Sequence, residues 1–342
     1  MRTIAWRLST DRGALGVRAL VVALVAQAAL GVLLFFFVTG RPGLGAPDDV
    51  VEPGRAGPAA ATPAATAAPR VPAATVDRFD APRALRLVRR QVAFGQRPAG
   101  SAALRRTAVV LRPLLPAGRL QAVPGHPGLR NVVGRLPGRR PALLIGAHYD
   151  TEARPRGFVG ANDSAAGTAV LVEVARALKG MNRPAGAREL QFALFDGEEE
   201  PAAGDGGDFY AAGLRGSKAY ARERAAELEA MVLLDYVGNR GLRIPREGSS
   251  DPALWARLRE AAEAVGVGRV FPPATGATLL DDHTPFLRAG VPSIDLIDFS
   301  YRYRDTLQDT VDKLDVASLD AVGETVVELV RRLDRAGGLR LG

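Results

Sequence analysis

The sequence of 342 residues contains no cysteine, three histidines and few aromatic residues, 6% in all. Without cysteine there is no disulfide framework, no thiolate zinc finger, no iron–sulfur site and no thiol nucleophile. That absence leaves the compartment open, because an exported protein can do without disulfides. The histidines are His126, His148 and His283, so any metal centre has to draw mainly on carboxylates. Lysine is equally scarce: of 45 basic residues, 42 are arginine. Beside so much Ala, Gly and Pro, that bias is read as codon usage more than as guanidinium chemistry.

The formal net charge of +8 divides unevenly along the chain. Residues 81–140 hold thirteen Arg and not one acid, whereas residues 141–342 sum to −7. A solvated basic face is the simplest account of 81–140, ahead of a membrane-surface or ligand-steering role. Nucleic acid is not an expected partner, since the basic residues lack interleaved aromatics.

Residues 19–39, ALVVALVAQAALGVLLFFFVT, run for 21 positions without a charge. As a helix they would span ~31 Å, close to the thickness of the hydrocarbon core. Arg2, Arg7, Arg12 and Arg18 precede the run, and Asp48, Asp49 and Glu52 follow it. This bias predicts a cytoplasmic N-terminus over 1–18 and a transmembrane signal anchor over 19–39, with the remainder extracytoplasmic, periplasmic or extracellular. A cleaved signal peptide is the alternative. Residues 40–76 carry seven prolines in Ala-, Gly- and Thr-rich sequence. They are expected to form a disordered, extended linker, leaving 77–342 as the folded domain.

Within that domain, Asp80 followed by Pro82 predicts a capped helix to about Phe94, stopped by Gly95, and Ser101 caps a second over 102–114. Short apolar runs at 131–136, 142–148, 189–195, 230–237 and 293–297 then alternate with helical stretches at 164–178, 217–227, 252–265 and 318–333. The alternation predicts an α/β layer architecture around a largely parallel sheet.

Polar residues sit where the apolar runs end. His148 and Asp150 follow Leu143–Ala147, Glu198 and Glu199 follow Phe195, and Asp235 closes the run from Met231. Ligands of open α/β sheets bind outside the carboxyl ends of the strands, so these side chains would share one crevice. Asp163, at a helix start, and Asp281-Asp282-His283 add further polar groups. Taken singly, each has an ordinary explanation: Asp163 an N-cap, Glu198-Glu199 a solvated strand end, Asp235 a turn cap, His283 a packed histidine. Their coincidence points to a bound cation, because clustered carboxylates repel one another without one. Oxygen plus imidazole donors suit zinc, with manganese or another divalent ion as alternatives.

The series His148-Tyr149-Asp150, Asn162-Asp163-Ser164, Asp196-Gly197-Glu198-Glu199, Leu234-Asp235 and Asp281-Asp282-His283 resembles the M28 metallopeptidase superfamily. The resemblance covers about residues 95–335, including the entry Arg97-Pro98-x-Gly100-Ser101. Within the superfamily, the segments 281–292 and 158–165 and the long insertion between Glu199 and Gly216 are most similar to glutaminyl-peptide cyclotransferases, the glutaminyl cyclases. This resemblance implies a three-layer α/β/α fold of the zinc-exopeptidase kind, with a central, mostly parallel, mixed sheet, and a catalytic domain over 77–342. It also implies cyclisation of the N-terminal glutamine of peptides or proteins to pyroglutamate, with release of ammonia. One zinc ion would be held by Asp163, Glu199 and Asp305, with His148 recruited, and Glu198, Asp235 and Asp281 would be the catalytic residues. The chain departs from the pattern at Asp305, where both branches carry a metal-binding His, and at Arg304, where animal cyclases have Trp. The aminopeptidase branch implies two zinc ions instead, bridged by Asp163, with His148 and Asp235 on one and Glu199 and Asp305 on the other. A membrane-tethered homologue that binds without turnover is the third reading.

Overall fold

The computed structural model describes residues 70–201 and 208–336. The segments expected as cytoplasmic N-terminus, anchor and most of the linker, residues 1–69, lie outside the described residues. Among the described residues no helix is long and apolar enough to cross a membrane. The last part of the 40–76 linker belongs to the folded unit: Val71, Ala74 and Val76 pack against the core. The Thr75 N–H donates to the Val265 carbonyl at 2.9 Å. Apolar side chains at 71, 74 and 76 give this stretch surface to bury, which offsets the entropy of ordering it.

Six strands form one sheet: β1 Arg119–Ala122, β2 Arg130–Leu136, β3 Arg139–His148, β4 Arg188–Phe195, β5 Leu228–Asp235 and β6 Ser293–Ile297. Their spatial order is β1-β2-β4-β3-β5-β6. Strands β4, β3, β5 and β6 pair in parallel, while β1 and β2 join antiparallel on one side, so the sheet is mixed. β1 is not legible in the sequence. Its four residues, RLQA, are mostly exposed and show no apolar alternation, so only the pairing with β2 makes it a strand.

The central strands read as continuous apolar runs because both of their faces are covered. Leu143, Ile145 and Ala147 of β3, Leu190, Phe192 and Leu194 of β4, and Ala230, Val232 and Leu234 of β5 point into one core. The intervening Leu144, Ala193, Phe195, Met231 and Leu233 point into the other. The first core is closed by helices α1 Ala81–Val92, α3 Gly167–Gly180, α6 Pro252–Ala264 and α8 Val316–Arg335, with α2 Ala102–Leu111 at its margin. The second is closed by α5 Arg215–Arg224 and α7 Thr284–Arg288, while the short α4 Phe209–Ala212 precedes α5. On that side Phe195, Tyr220 and Phe286 form a trio with ring centroids 6.0 to 6.3 Å apart. The architecture is therefore three-layered, helices–sheet–helices.

The helix starts follow from local chemistry. Asp80, Ser101, Asp251 and Asp315 each accept a first-turn backbone N–H through the side chain, a contact that stabilises by about 1 kcal/mol. Because β3, β4 and β5 run parallel, His148, the 196–199 segment and Asp235 all emerge at one edge of the sheet.

Candidate metal centre

His148 ends β3 with its ring buried among carboxylates. Its Nε2 lies 3.0 Å from Asp163 Oδ1 and 3.3 Å from Asp235 Oδ1. Among the described residues its Nδ1 has no hydrogen-bond partner, standing 3.7 Å from Asp150 Oδ1 and 3.8 Å from Glu198 Oε2. Donor atoms of His148, Asp163 and Asp235 lie within 4.8 Å of one another, as do those of His148, Glu198 and Glu199. The side chains of Asp163, Glu198, Glu199 and Asp235 are buried as well.

Each of these positions is built by a specific local device. Asp163 sits at a kink, φ −109° and ψ 89°, in a wide turn over 161–166 that leads into α3. Gly160 before it has φ +51°, and a Cβ there would lie 1.7 Å from the Asp163 carbonyl oxygen, so only glycine permits the turn. Asp309 holds the turn from outside, accepting from the Asn162 and Asp163 N–H groups at 3.0 Å and from the Tyr301 hydroxyl at 2.8 Å. Asp150 does the same for the glutamates, accepting from Glu198 N–H at 3.2 Å and Glu199 N–H at 3.3 Å. Arg215 braces that loop from α5, donating to the Glu199 carbonyl at 2.6 Å. Arg97, fully buried, donates to the Gly95 and Val159 carbonyls at 2.9 Å. Burial pulls its guanidinium down to about 10, against the charges of Asp163, Asp150 and Asp309.

Burial and crowded negative charge shift several of these groups. Burial, then the Asp163 and Glu198 charges, push the Glu199 carboxyl well up, and burial does the same to Glu198 against the pull of His148. Burial raises Asp235 to about 7 although His148 opposes it. Glu152 at the rim is raised to about 7 by burial and then by Asp305 and Asp163. For His148 burial works against the cation, yet Asp150, Asp163 and Asp235 hold the imidazolium well above its ordinary range. The Tyr236 hydroxyl lies 2.8 Å from Asp163 Oδ2 and 3.0 Å from Asp305 Oδ1. One phenolic proton serves only one of these oxygens at a time, so the pair favours a cation nearby. Together with the bare Nδ1 of His148, this oxygen-and-imidazole set fits a divalent ion, and zinc in particular.

Of the residues expected from sequence, His148, Asp163, Glu198, Glu199, Asp235 and Asp281 all line one pocket of roughly 360 Å³. Asp305 lies on the rim of that pocket with about half its side chain exposed, in an ion pair with Arg304 at 3.1 Å, and it belongs to neither tight donor group. Asp235 lies 3.3 Å from the His148 ring through Oδ1, and Asp281 accepts from the Asp282 N–H through Oδ1. Tyr236, Asp309 and Arg215 carry positioning roles that sequence reasoning missed. Nothing in the local sequence separates them from ordinary surface-loop residues, whereas Arg97 stands in the motif Arg97-Pro98-x-Gly100-Ser101.

Residues 131–330 match the family described as peptidase family M28. A glutaminyl-peptide cyclotransferase from Bos taurus is 27% identical over 234 residues, which cover 57% of this chain and 64% of that protein. The chain thus spans just under two thirds of the length of the curated relative it matches. Among solved structures, the Porphyromonas gingivalis glutaminyl cyclase superposes with a TM-score of 0.66 at 30% identity, covering 75% of this chain and 99% of that one. A Zn-dependent exopeptidase from Parabacteroides distasonis gives a TM-score of 0.65 at 25% identity, with coverage of 75% and 99%.

Proposed function

The chain belongs to peptidase family M28, and from that premise we propose that it cyclises the N-terminal glutamine of peptides or proteins to pyroglutamate, releasing ammonia. The observation that carries the reading is Glu198. Its carboxyl is buried beside His148 in the pocket and is pushed toward the protonated form, the condition for a group that takes and returns a proton. Relatives named as glutaminyl cyclases, in sequence and in structure, support the same choice.

In this reading Asp163, Glu199 and His148 would hold the metal, with Asp305 approaching through Tyr236. A zinc ion there supplies Lewis-acid polarisation of a carbonyl oxygen. Glu198 accepts a proton from the substrate α-amine as its nitrogen bonds to the side-chain carboxamide carbon. The same carboxyl then protonates the departing nitrogen as the bond to that carbon breaks, so ammonia leaves and the proton count balances. Asp235 and Asp281 line the same pocket, where Asp235 would orient the amine and Asp281 would form the adjoining wall. Because the attack is intramolecular, holding the two ends of one residue together supplies much of the rate.

The alternative is an aminopeptidase with two ions. It is favoured by the sharing of His148 between two donor groups and by the exopeptidase neighbour. One assay pair separates them: zinc-loaded protein is expected to release ammonia from Gln-peptides and to leave leucine amide intact. Hydrolysis of leucine amide without ammonia release from Gln-peptides would overturn the cyclase reading. The proposal includes a membrane tether with the catalytic domain extracytoplasmic, supported by the uncharged run over 19–39. Release of the full chain from membranes by alkaline carbonate would overturn that part.

A further inference from the structure

A second group of buried donors lies behind one wall of the pocket. Asp281 Oδ2, His283 Nδ1 and both carboxylate oxygens of Asp295 have no hydrogen-bond partner among the described residues. His283 and Asp295 are wholly inaccessible, and Asp281 is 5% exposed. One donor atom from each of the three lies within 4.8 Å of the other two. Left bare, buried carboxylates of this kind are strongly disfavoured.

The histidine is oriented as a ligand. Its Nε2 stands 3.0 Å from Ser249 Oγ and 3.2 Å from Glu247 Oε2. Glu247 is fixed in turn by the Ser249 and Leu279 N–H groups and by the Ser250 hydroxyl, each at 2.9 Å. A carboxylate acceptor at Nε2 places the proton there and leaves Nδ1 as a lone pair, the arrangement by which an outer carboxylate sets a metal-binding imidazole. That lone pair lies 3.8 Å from Asp295 Oδ2. Two ligands of one zinc, at ~2.1 Å each, stand ~3.4 Å apart in tetrahedral geometry. The observed spacing therefore closes around an ion with a shift of a few tenths of an ångström. Asp295 is itself anchored, because its N–H donates to Ser250 Oγ at 3.0 Å.

We propose that Asp281, His283 and Asp295 hold a divalent transition-metal ion, zinc by donor type, in an enclosed site separate from the one built on His148, Asp163 and Glu199. Asp295 can chelate through both oxygens, and the three donor residues are buried from solvent, as in a structural site. The ion ties β6 to the 281–283 loop and, through His283, to the 247–250 segment, so it fixes the Asp281 wall of the substrate pocket. Two ions per chain do not by themselves identify a two-ion peptidase centre, because one of them can sit here.

The test loads the full chain with zinc, removes loose metal with a weak chelator, and locates the ions by anomalous diffraction at the zinc edge. A peak within bonding distance of His283 Nδ1 is expected in the unaltered protein, and a map with peaks only near His148 would overturn the proposal in favour of a proton shared by Asp281 and Asp295. The double variant Asp163→Asn, Glu199→Gln is expected to keep about one tightly held zinc per chain, and adding His283→Gln or Asp295→Asn to remove it. A double variant with native circular dichroism and no zinc would also overturn it. Because the map of the unaltered protein needs no substitution, the proposal stays testable even if a variant fails to fold.

Discussion

In the proposed reaction Glu198 would act through position and environment together. The Asp150 carboxylate holds its N–H, Gly197 with φ +81° turns the chain in front of it, and burial raises its carboxyl. Replacing Glu198 with Gln keeps size and hydrogen bonding while removing the proton acceptor. The expected outcome is a fall in kcat/KM of about 10²- to 10⁴-fold in ammonia release, with zinc content retained on elemental analysis. Tyr236 makes a different kind of contribution, since its hydroxyl stands between Asp163 and Asp305. Tyr236→Phe leaves those carboxylates without their common partner and is expected to weaken zinc binding about 10- to 100-fold, read by competition with a chromogenic chelator. His148, Asp163, Glu198, Glu199 and Asp235 were legible because each adjoins a recognisable strand end or helix start. Tyr236, Asp309 and Arg215 were not, because each matters only through a partner distant in sequence.

Elements were legible where both faces of a strand are buried or a capped helix begins. The apolar runs of β3, β4 and β5 announce themselves, and Asp80-Ala81-Pro82 marks α1. β1 did not, since an exposed edge strand of four residues carries no pattern. The same helices make stability predictions. Leu258 of α6 is fully buried in the larger core, and Leu258→Ala is expected to cost about 2–5 kcal/mol in urea denaturation, transfer and cavity terms combined. On α8, burial and then the Glu324 charge push Asp320 up to about 6. A carboxyl whose folded pKa exceeds its unfolded value binds protons more tightly when folded, so stability falls as pH rises from about 4 to 6. Asp320→Asn is therefore expected to stabilise the protein at pH 8 by about 1 kcal/mol, discounted for the group's partial exposure. At pH 4 the substitution is expected to change little, and equal effects at both pH values would contradict the assignment.

Across the whole molecule, charge is partitioned: a basic stretch over 81–140 and an acidic half that supplies the site. The unit also reaches further toward the N-terminus than composition suggested, because Val71, Ala74 and Val76 pack on the core and Thr75 bonds Val265. A chain beginning at 77 is expected to melt several degrees below one beginning at 70, since losing three partly buried apolar side chains removes about 1–3 kcal/mol. Equal melting temperatures would show that the strap adds nothing. Chelation is expected to lower the melting temperature of either form, as an ion bound only by the folded state adds its binding energy to folding.

The sequence by itself determined the α/β alternation, the burial of the central strands and the list of carboxylates and histidines from which a metal site could be built. Those follow from local periodicity and from composition, which a linear chain displays directly. The tertiary structure alone decided how these groups divide. It brought His148 among Asp163, Glu198, Glu199 and Asp235, left Asp305 at the rim, and set Asp281, His283 and Asp295 together as a second cluster. The reason is geometric. Ligand sets form where parallel strands end side by side and where a turn over 161–166 or 281–283 folds back on them, and strand order and turn shape are fixed by packing between residues far apart in the chain.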